Sequence, residues 1–270
     1  MQVTNPSEII PGVIFYAYLS AQRKDKVSFL ENNTLVLVAS GEFMLETSGQ
    51  KVTMHKGEML LIGKNQLATI TKTPLPGEAY ETIVISLQED MLRQIALEEQ
   101  ITTPEKYNGP RNVLIPPTDF LRGYFQSVLP YVRNPEASLA DDMGILKVKE
   151  GVKLILHAMP GLRSLLFDFS EPHKIDLEKF MRSNFHFNIP VEKFAQLTGR
   201  SLASFKRDFK KIFGAAPKQW LMDRRLTEAR YLLEKSRKPS DIYLDLGFES
   251  LSHFSRAFSG KFGIAPSEWR

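Results

Sequence analysis

Lys206, Arg207 and Lys210 fall at spacings that put their side chains on a shared side of a helix, with Ala203 on the same face. Such a face suits a polyanion, because Arg and Lys pair with guanine O6 and N7 in a major groove about 12 Å wide, or with phosphate oxygens. Forty-nine residues later Arg256 stands beside Ser252, His253 and Ser255. The two stretches are copies. Aligned at a fixed offset of 49, SLASFKRDFKKIFGAAPKQW (201–220) and SLSHFSRAFSGKFGIAPSEW (250–269) match at ten of twenty positions, so one supersecondary unit occurs twice in tandem. For Arg207 the plain alternative is a surface ion pair with Asp208 or Asp223. Its recurrence as Arg256 favours base or phosphate contact.

Other chemistries find little support. There is no cysteine, hence no disulfide framework, thiolate nucleophile or thiolate zinc site. The five histidines are His55, His157, His173, His186 and His253, and only His55 lies in the strand-rich part, so a facial metal-ligand set is absent. No catalytic residue, metal or cofactor is expected. No segment approaches the roughly 18 apolar residues of a membrane span, and the N-terminus lacks the pattern of a signal peptide. A cytoplasmic location is the expectation.

Three sets of elements must position the two basic faces. Pro190 suits the opening turn of a short helix over 191–198 with Phe194 and Leu197 inward, and Ala195 is small enough for a helix crossing. Gly199-Arg200-Ser201 then makes a turn whose serine can cap a second helix over 202–213. Leu202, Phe205, Phe209 and Phe213 form its core stripe, and Gly214 ends it. The second copy repeats this with a helix over 240–246, the turn Gly247-Phe248-Glu249, and a helix over 251–262 whose core residues are Leu251, Phe254, Phe258 and Phe262. A long helix over 217–235, with Trp220, Leu226, Ala229, Leu232 and Leu233 inward, joins the copies. Two readers on one rod can meet successive major-groove turns about 34 Å apart. The second is less basic, with Ser255 and Ser259 in place of Lys206 and Lys210.

The preceding residues read differently. Short runs at 13–18, 34–39, 42–47, 51–54, 58–62, 68–71 and 81–87 indicate an antiparallel sandwich or barrel. After them come helices over 89–100, 118–132 and 141–158, the last two making a helical hairpin. The hairpin can pack on the barrel or supply a homodimer seam between Thr118 and Ala158. Barrel aromatics Phe15, Tyr16, Tyr18, Phe29 and Phe43 are either core or the lining of a ligand pocket. Residues 174–270 carry 19 Lys+Arg against 11 Asp+Glu, a net of +8, whereas 1–173 carry 16 against 20, a net of −4. The expected organisation is a multidomain α+β chain: 1–166 an antiparallel β-barrel with a helical hairpin, 167–173 a connector, and 174–270 an all-α domain of two helix-turn-helix units joined by a long helix.

The stretches FAQLTGRSLASFKRDFKKIFGAAPKQWLMDRRLTEARYLL and IYLDLGFESLSHFSRAFSGKFGIAPSEWR resemble the DNA-binding domain of the AraC/XylS family of bacterial transcription regulators. The resemblance implies double-stranded DNA as partner, transcription activation through contact with RNA polymerase, and a cupin-like front barrel over 1–166 that dimerises or senses a small-molecule or protein effector. An architectural DNA-binding protein of low specificity is the alternative. Carried over by position, base-proximal residues are Ala203, Lys206, Arg207, Ser252, Ser255 and Arg256, with Ser201 and Ser250 near phosphates; Ser204, Lys210 and His253 complete the candidate set. Tyr243 departs from the family's small alanine, which implies a looser or shifted helix crossing. Arg200 departs from an apolar turn residue, which implies added charge close to DNA.

Overall fold

The computed structural model describes residues 7–102, 107–133, 137–170 and 174–269, with the backbone alone for 7, 23–28, 132, 133 and 137–142. The chain divides into two compact units, Met1–Ser170 and Glu171–Arg270. Phe167 is buried in the core of the first unit, whereas Glu171, Pro172 and His173, in the segment read as a connector, lie outside the described residues.

The first unit opens with β1 (Ser7–Ile10), β2 (Ile14–Leu19), β3 (Arg23–Leu30), β4 (Asn33–Ser40), β5 (Glu42–Glu46), β6 (Lys51–Met54), β7 (Met59–Ile62), β8 (Gln66–Thr73) and β9 (Tyr80–Leu87). Then come α1 (Glu89–Glu98), β10 (Asn112–Ile115), α2 (Asp119–Arg133), α3 (Ala137–Ala158) and the short α4 (Arg163–Leu166). The strands form two antiparallel sheets in the orders β1-β2-β9-β4-β7-β10 and β3-β8-β5-β6, a cupin-like arrangement that hydrogen bonding leaves unclosed. Ala17, Val36, Val38 and Leu60 of the larger sheet meet Phe43, Leu45, Met54 and Ala68 of the smaller one in a single buried cluster.

The opposite face of the larger sheet carries the helices. Leu35, Leu61, Ile83 and Ile85 pack there with Leu121, Phe125 and Val128 of α2 and Val148, Val152 and Ile155 of α3. A central strand covered on both faces needs an unbroken apolar run, which is why β7 reads MLLI and is buried at every position. The apolar stripes of the hairpin are thus consumed inside the unit. Buried Lys147 donates to Ser127 Oγ (2.7 Å) and Glu150 (2.9 Å), and Tyr124 donates to the Lys147 carbonyl (2.7 Å), fixing α2 against α3.

The second unit contains α5 (Leu177–Asn184), α6 (Val191–Leu197), α7 (Leu202–Phe213), α8 (Pro217–Glu234), α9 (Pro239–Ile242) and α10 (Leu251–Phe262). The sequence reading had no counterpart of α5. With it each head is a three-helix body, α5-α6-α7 and α8-α9-α10, so the connecting rod is also the first helix of the second head. Arg182 of α5 and Arg230 of α8 stand over Phe213 and Phe262 respectively, each at 5.8 Å.

Candidate nucleic-acid interface

Each head holds its outward helix by the same devices. In the first, α6 buries Phe194, Ala195 and Leu197 and stops at Gly199, whose φ of +65° is the left-handed conformation glycine adopts without penalty. The Gly199 N–H donates to the Gln196 carbonyl and the Arg200 N–H to the Ala195 carbonyl, both at 3.0 Å, so the end of α6 is closed. In the second head Gly247 N–H to Leu244 and Phe248 N–H to Tyr243 repeat the pair, again at 3.0 Å.

Serine caps follow. Ser201 Oγ accepts from the Ser204 N–H (3.3 Å) and Ser250 Oγ from the His253 N–H (3.2 Å), satisfying donors that the first helical turn leaves without partners. Gly214 (φ 70°) and Gly263 (φ 82°) end α7 and α10.

The inner faces match as well. Phe205 and Phe209 in α7, and Phe254 and Phe258 in α10, are fully buried. Trp220 meets Phe209 edge-on at 5.5 Å, and Trp269 meets Phe258 edge-on at 5.6 Å. These rings leave the other side of each helix to solvent. Ser201, Ala203, Lys206, Arg207 and Lys210 are exposed on or beside α7, with Ser204 half-buried; Ser250, Ser252, His253 and Arg256 are exposed on or beside α10, with Ser255 half-buried. Thus both sets of candidate residues gather on outward helix faces.

Arg207 is 77% exposed, donates to Ser204 Oγ at 3.2 Å, and lies 3.6 Å from Asp208. The ion pair weighed for it is therefore present but long and solvated, leaving the guanidinium available. Among the described residues Arg256 makes one side-chain hydrogen bond, at 3.4 Å to the Ser252 carbonyl of its own helix.

Several expectations need correction. Arg200 does not add charge to the outward face: its side chain is 11% exposed and is spent on Asp208 (3.2 Å) and on the carbonyls of Ile175 (3.0 Å) and Thr198 (2.7 Å). The corresponding residue of the second head, Phe248, is an apolar plug. Leu251 is 40% exposed rather than core, because it occupies the first helical turn before the stripe turns inward. Regular helix in the second head's first element is one turn, stopping at Ile242 rather than running through 240–246. The next residue, Tyr243, stands where the first head has buried Ala195 and is half-buried. In the first unit Phe15 and Tyr16 are successive residues of β2 and point to opposite sides of the sheet, and Tyr18 is 52% exposed. Phe43 is buried in the core between the sheets, so the five aromatics do not all share one lining.

The sequence reading also missed a buried arginine. Arg225 on α8 donates from Nε to the Phe185 carbonyl (2.8 Å), from Nη2 to that of Phe187 (2.9 Å) and from Nη1 to that of Gly247 (3.2 Å). A signal for it existed: Leu221, Arg225, Ala229 and Leu233 are spaced by four, so Arg225 occupies a position of the apolar stripe. Nearby, Lys261 of α10 bonds Asp223 of α8 at 2.6 Å, which holds the Asp223 carboxyl below the usual carboxylate range.

His55 lies 3.7 Å from Glu42 on the surface. Among the described residues no three His, Cys, Asp or Glu side chains gather as a metal site, and no helix is long and apolar enough to cross a membrane.

A family model for a helix-turn-helix domain matches residues 194–270, and one for the ExsA N-terminal regulatory domain matches residues 33–165. The thermoregulatory protein LcrF of Yersinia pestis is 27% identical over 229 residues, covering 79% of this chain and 80% of that one. The virulence regulon transcriptional activator VirF of Yersinia enterocolitica is 26% identical over the same shares. A crystal structure of apo ToxT from Vibrio cholerae aligns over 95% of this chain and 96% of that one, at 14% identity and a TM-score of 0.47. The duplicated heads thus fall under a helix-turn-helix model, and the sheets before them under a regulatory model of the same kind of protein. The chain belongs to the AraC/XylS family of bacterial DNA-binding transcription regulators.

Proposed function

We propose that this regulator activates transcription by reading an asymmetric site with both heads, α7 and α10 entering successive major grooves about 34 Å apart. One observation carries the reading: two helices that bury equivalent phenylalanines present different polar sets outward, Lys206, Arg207 and Lys210 on one and Ser252, His253, Ser255 and Arg256 on the other. Different sets suit different bases. The first head supplies more charge-driven affinity, the second more direct or water-bridged selectivity. Ser201 and Ser250 keep hydroxyl protons for phosphate oxygens while their oxygens cap the helices. Ala203 offers a methyl for apolar contact with thymine.

In this reading 1–166 and 174–270 act as separate domains joined through 167–173. The front domain responds to a small molecule or a protein and shifts the population competent for DNA. It pairs with a second copy through the outward face of α3, where Leu146, Glu150, Lys153 and His157 are exposed at helical spacing. RNA polymerase is the second macromolecular partner, the chain catalyses no reaction, and it works in the cytoplasm.

Selection of genomic fragments by the full chain and by its 171–270 unit, at matched salt, tests this. Enrichment of one two-part motif by both supports it; no enriched motif with either would leave an architectural DNA binder. Lys210→Ala is expected to weaken all DNA nearly uniformly and to lower the slope of log affinity against log salt by about one. A slope equal to the parent's removes Lys210 from the phosphate contacts.

A further inference from the structure

The chain that follows the connecting helix does not by itself hold α10 in place. After α8 ends at Glu234, residues 235–238 are all exposed, and α9 is a single turn. Orientation is set by contacts that cross from the first head to the second and by a tie between α10 and the rod. Residues 185–189, between α5 and α6, lie against the turn that launches α10. A side chain at Gly247 would place its Cβ 2.4 Å from the His186 carbonyl oxygen, so the two backbones meet directly. Asn188 Nδ2 donates to Glu249 at 3.2 Å, one residue before the Ser250 cap. Arg225, in the middle of the rod, holds carbonyls of both sides at once, Phe185 and Phe187 of the first head and Gly247 of the second. At the other end of α10, Lys261 is tied to Asp223 of the rod at 2.6 Å. The second reading helix is therefore fixed near both ends, which determines its direction as well as its position.

We propose that this clamp, residues 185–189 on the 247–249 turn with Arg225 beneath and Asp223–Lys261 at the far end of α10, sets the spacing between half-sites that the protein accepts. The inference rests on the two-headed reading given above. One inserted base pair moves the second half-site by about 3.4 Å and rotates it by about 35°, more than a clamped pair of heads can follow. Asn188, Asp223, Arg225 and Glu249 are positioning residues here: they act on DNA through the placement of α10.

The test measures binding of the full chain to duplexes carrying both selected half-sites at the native spacing and at one or two base pairs more or fewer, together with a duplex in which the second half-site is scrambled. The proteins are wild type, the double variant Asn188→Asp/Asp223→Asn, and Arg225→Lys. Both sites of the double variant are on the surface and neither contacts DNA in the proposed mode, so its fold is spared. Wild type is expected to lose about tenfold or more per base pair of misplacement. The double variant is expected to lose less than about threefold, with unchanged affinity for the scrambled duplex. Arg225→Lys, which keeps a charge but loses the fork that reaches three carbonyls, should broaden the profile further. A variant profile that parallels wild type, including uniform weakening at every spacing, overturns the clamp and leaves two-headed reading intact. Wild type indifferent to spacing, or to scrambling the second half-site, overturns both.

Discussion

Replacing Arg225 by methionine lowers the stability of the C-terminal unit by about 2–5 kcal/mol, the range for removing the donor from buried backbone carbonyls. Methionine recovers much of the apolar contact that the arginine stem makes in the stripe of Leu221, Ala229 and Leu233. It cannot recover the three hydrogen bonds. The carbonyls of Phe185 and Gly247 belong to the backbone and stay buried without this donor, at about 1–3 kcal/mol each where no water reaches them, whereas that of Phe187 keeps the Ile189 N–H at 3.1 Å. Burial pulls the Arg225 guanidinium down to about 10, still charged at neutral pH, so the native network is one of charge-assisted bonds. The measurement is specific to the unit, because the chain's two tryptophans, Trp220 and Trp269, both lie in it. Urea unfolding followed by their fluorescence should show a lower midpoint, and a loss below about 1 kcal/mol would mean that the carbonyls find other partners. Lysine should restore little, since one ammonium cannot reach three acceptors held in fork geometry.

That arginine also shows where sequence reading stops. The limits of α7 were legible to the residue, because a serine cap and a left-handed glycine are local signals that need no tertiary context. The duplication made α10 legible for the same reason. The strands missed from the sequence, β1, β3 and β10, all lie at sheet edges. An edge strand has one neighbour and is often short or charged, so β3, RKDKVSFL, lacks the alternation that marked its paired neighbours. α5 escaped because its eight residues share few side-chain types with the stretch of α8 that it matches in role, although Asp176 caps it through the Lys179 N–H at 2.9 Å. Arg200 was misjudged from its charge, and Arg225 was missed. Sequence pattern assigns a cation to solvent by default, and only the carbonyls and carboxylate brought from distant residues by the fold make burial tolerable. What stayed legible was the outward polar sets; what did not was how the two heads are held to each other.

Arg207→Ala is expected to cost about 1–3 kcal/mol at the selected site, roughly five- to 150-fold in affinity, and to relax one base preference there. The loss belongs to binding and not to folding, since a side chain 77% exposed, with a 3.6 Å ion pair to Asp208 and a 3.2 Å bond to the Ser204 hydroxyl, leaves no fully buried partner behind when truncated. Asp208 is the residue to weigh against this. It sits between Arg200 at 3.2 Å and Arg207 at 3.6 Å, and the shorter, more buried pair with Arg200 takes the larger share of its charge. Arg207 is thus steadied by Asp208 and by Ser204 Oγ without being neutralised, a geometry suited to presenting a guanidinium edge to a base. The lysine variant separates the two kinds of contact. Arg207→Lys keeps a charge for phosphate but loses bidentate pairing with guanine O6 and N7. A flattened preference at one position with a near-parental salt slope assigns Arg207 to a base. A retained preference in both variants would move it to the backbone, and base reading by the first head would then fall to Lys206 and the methyl of Ala203.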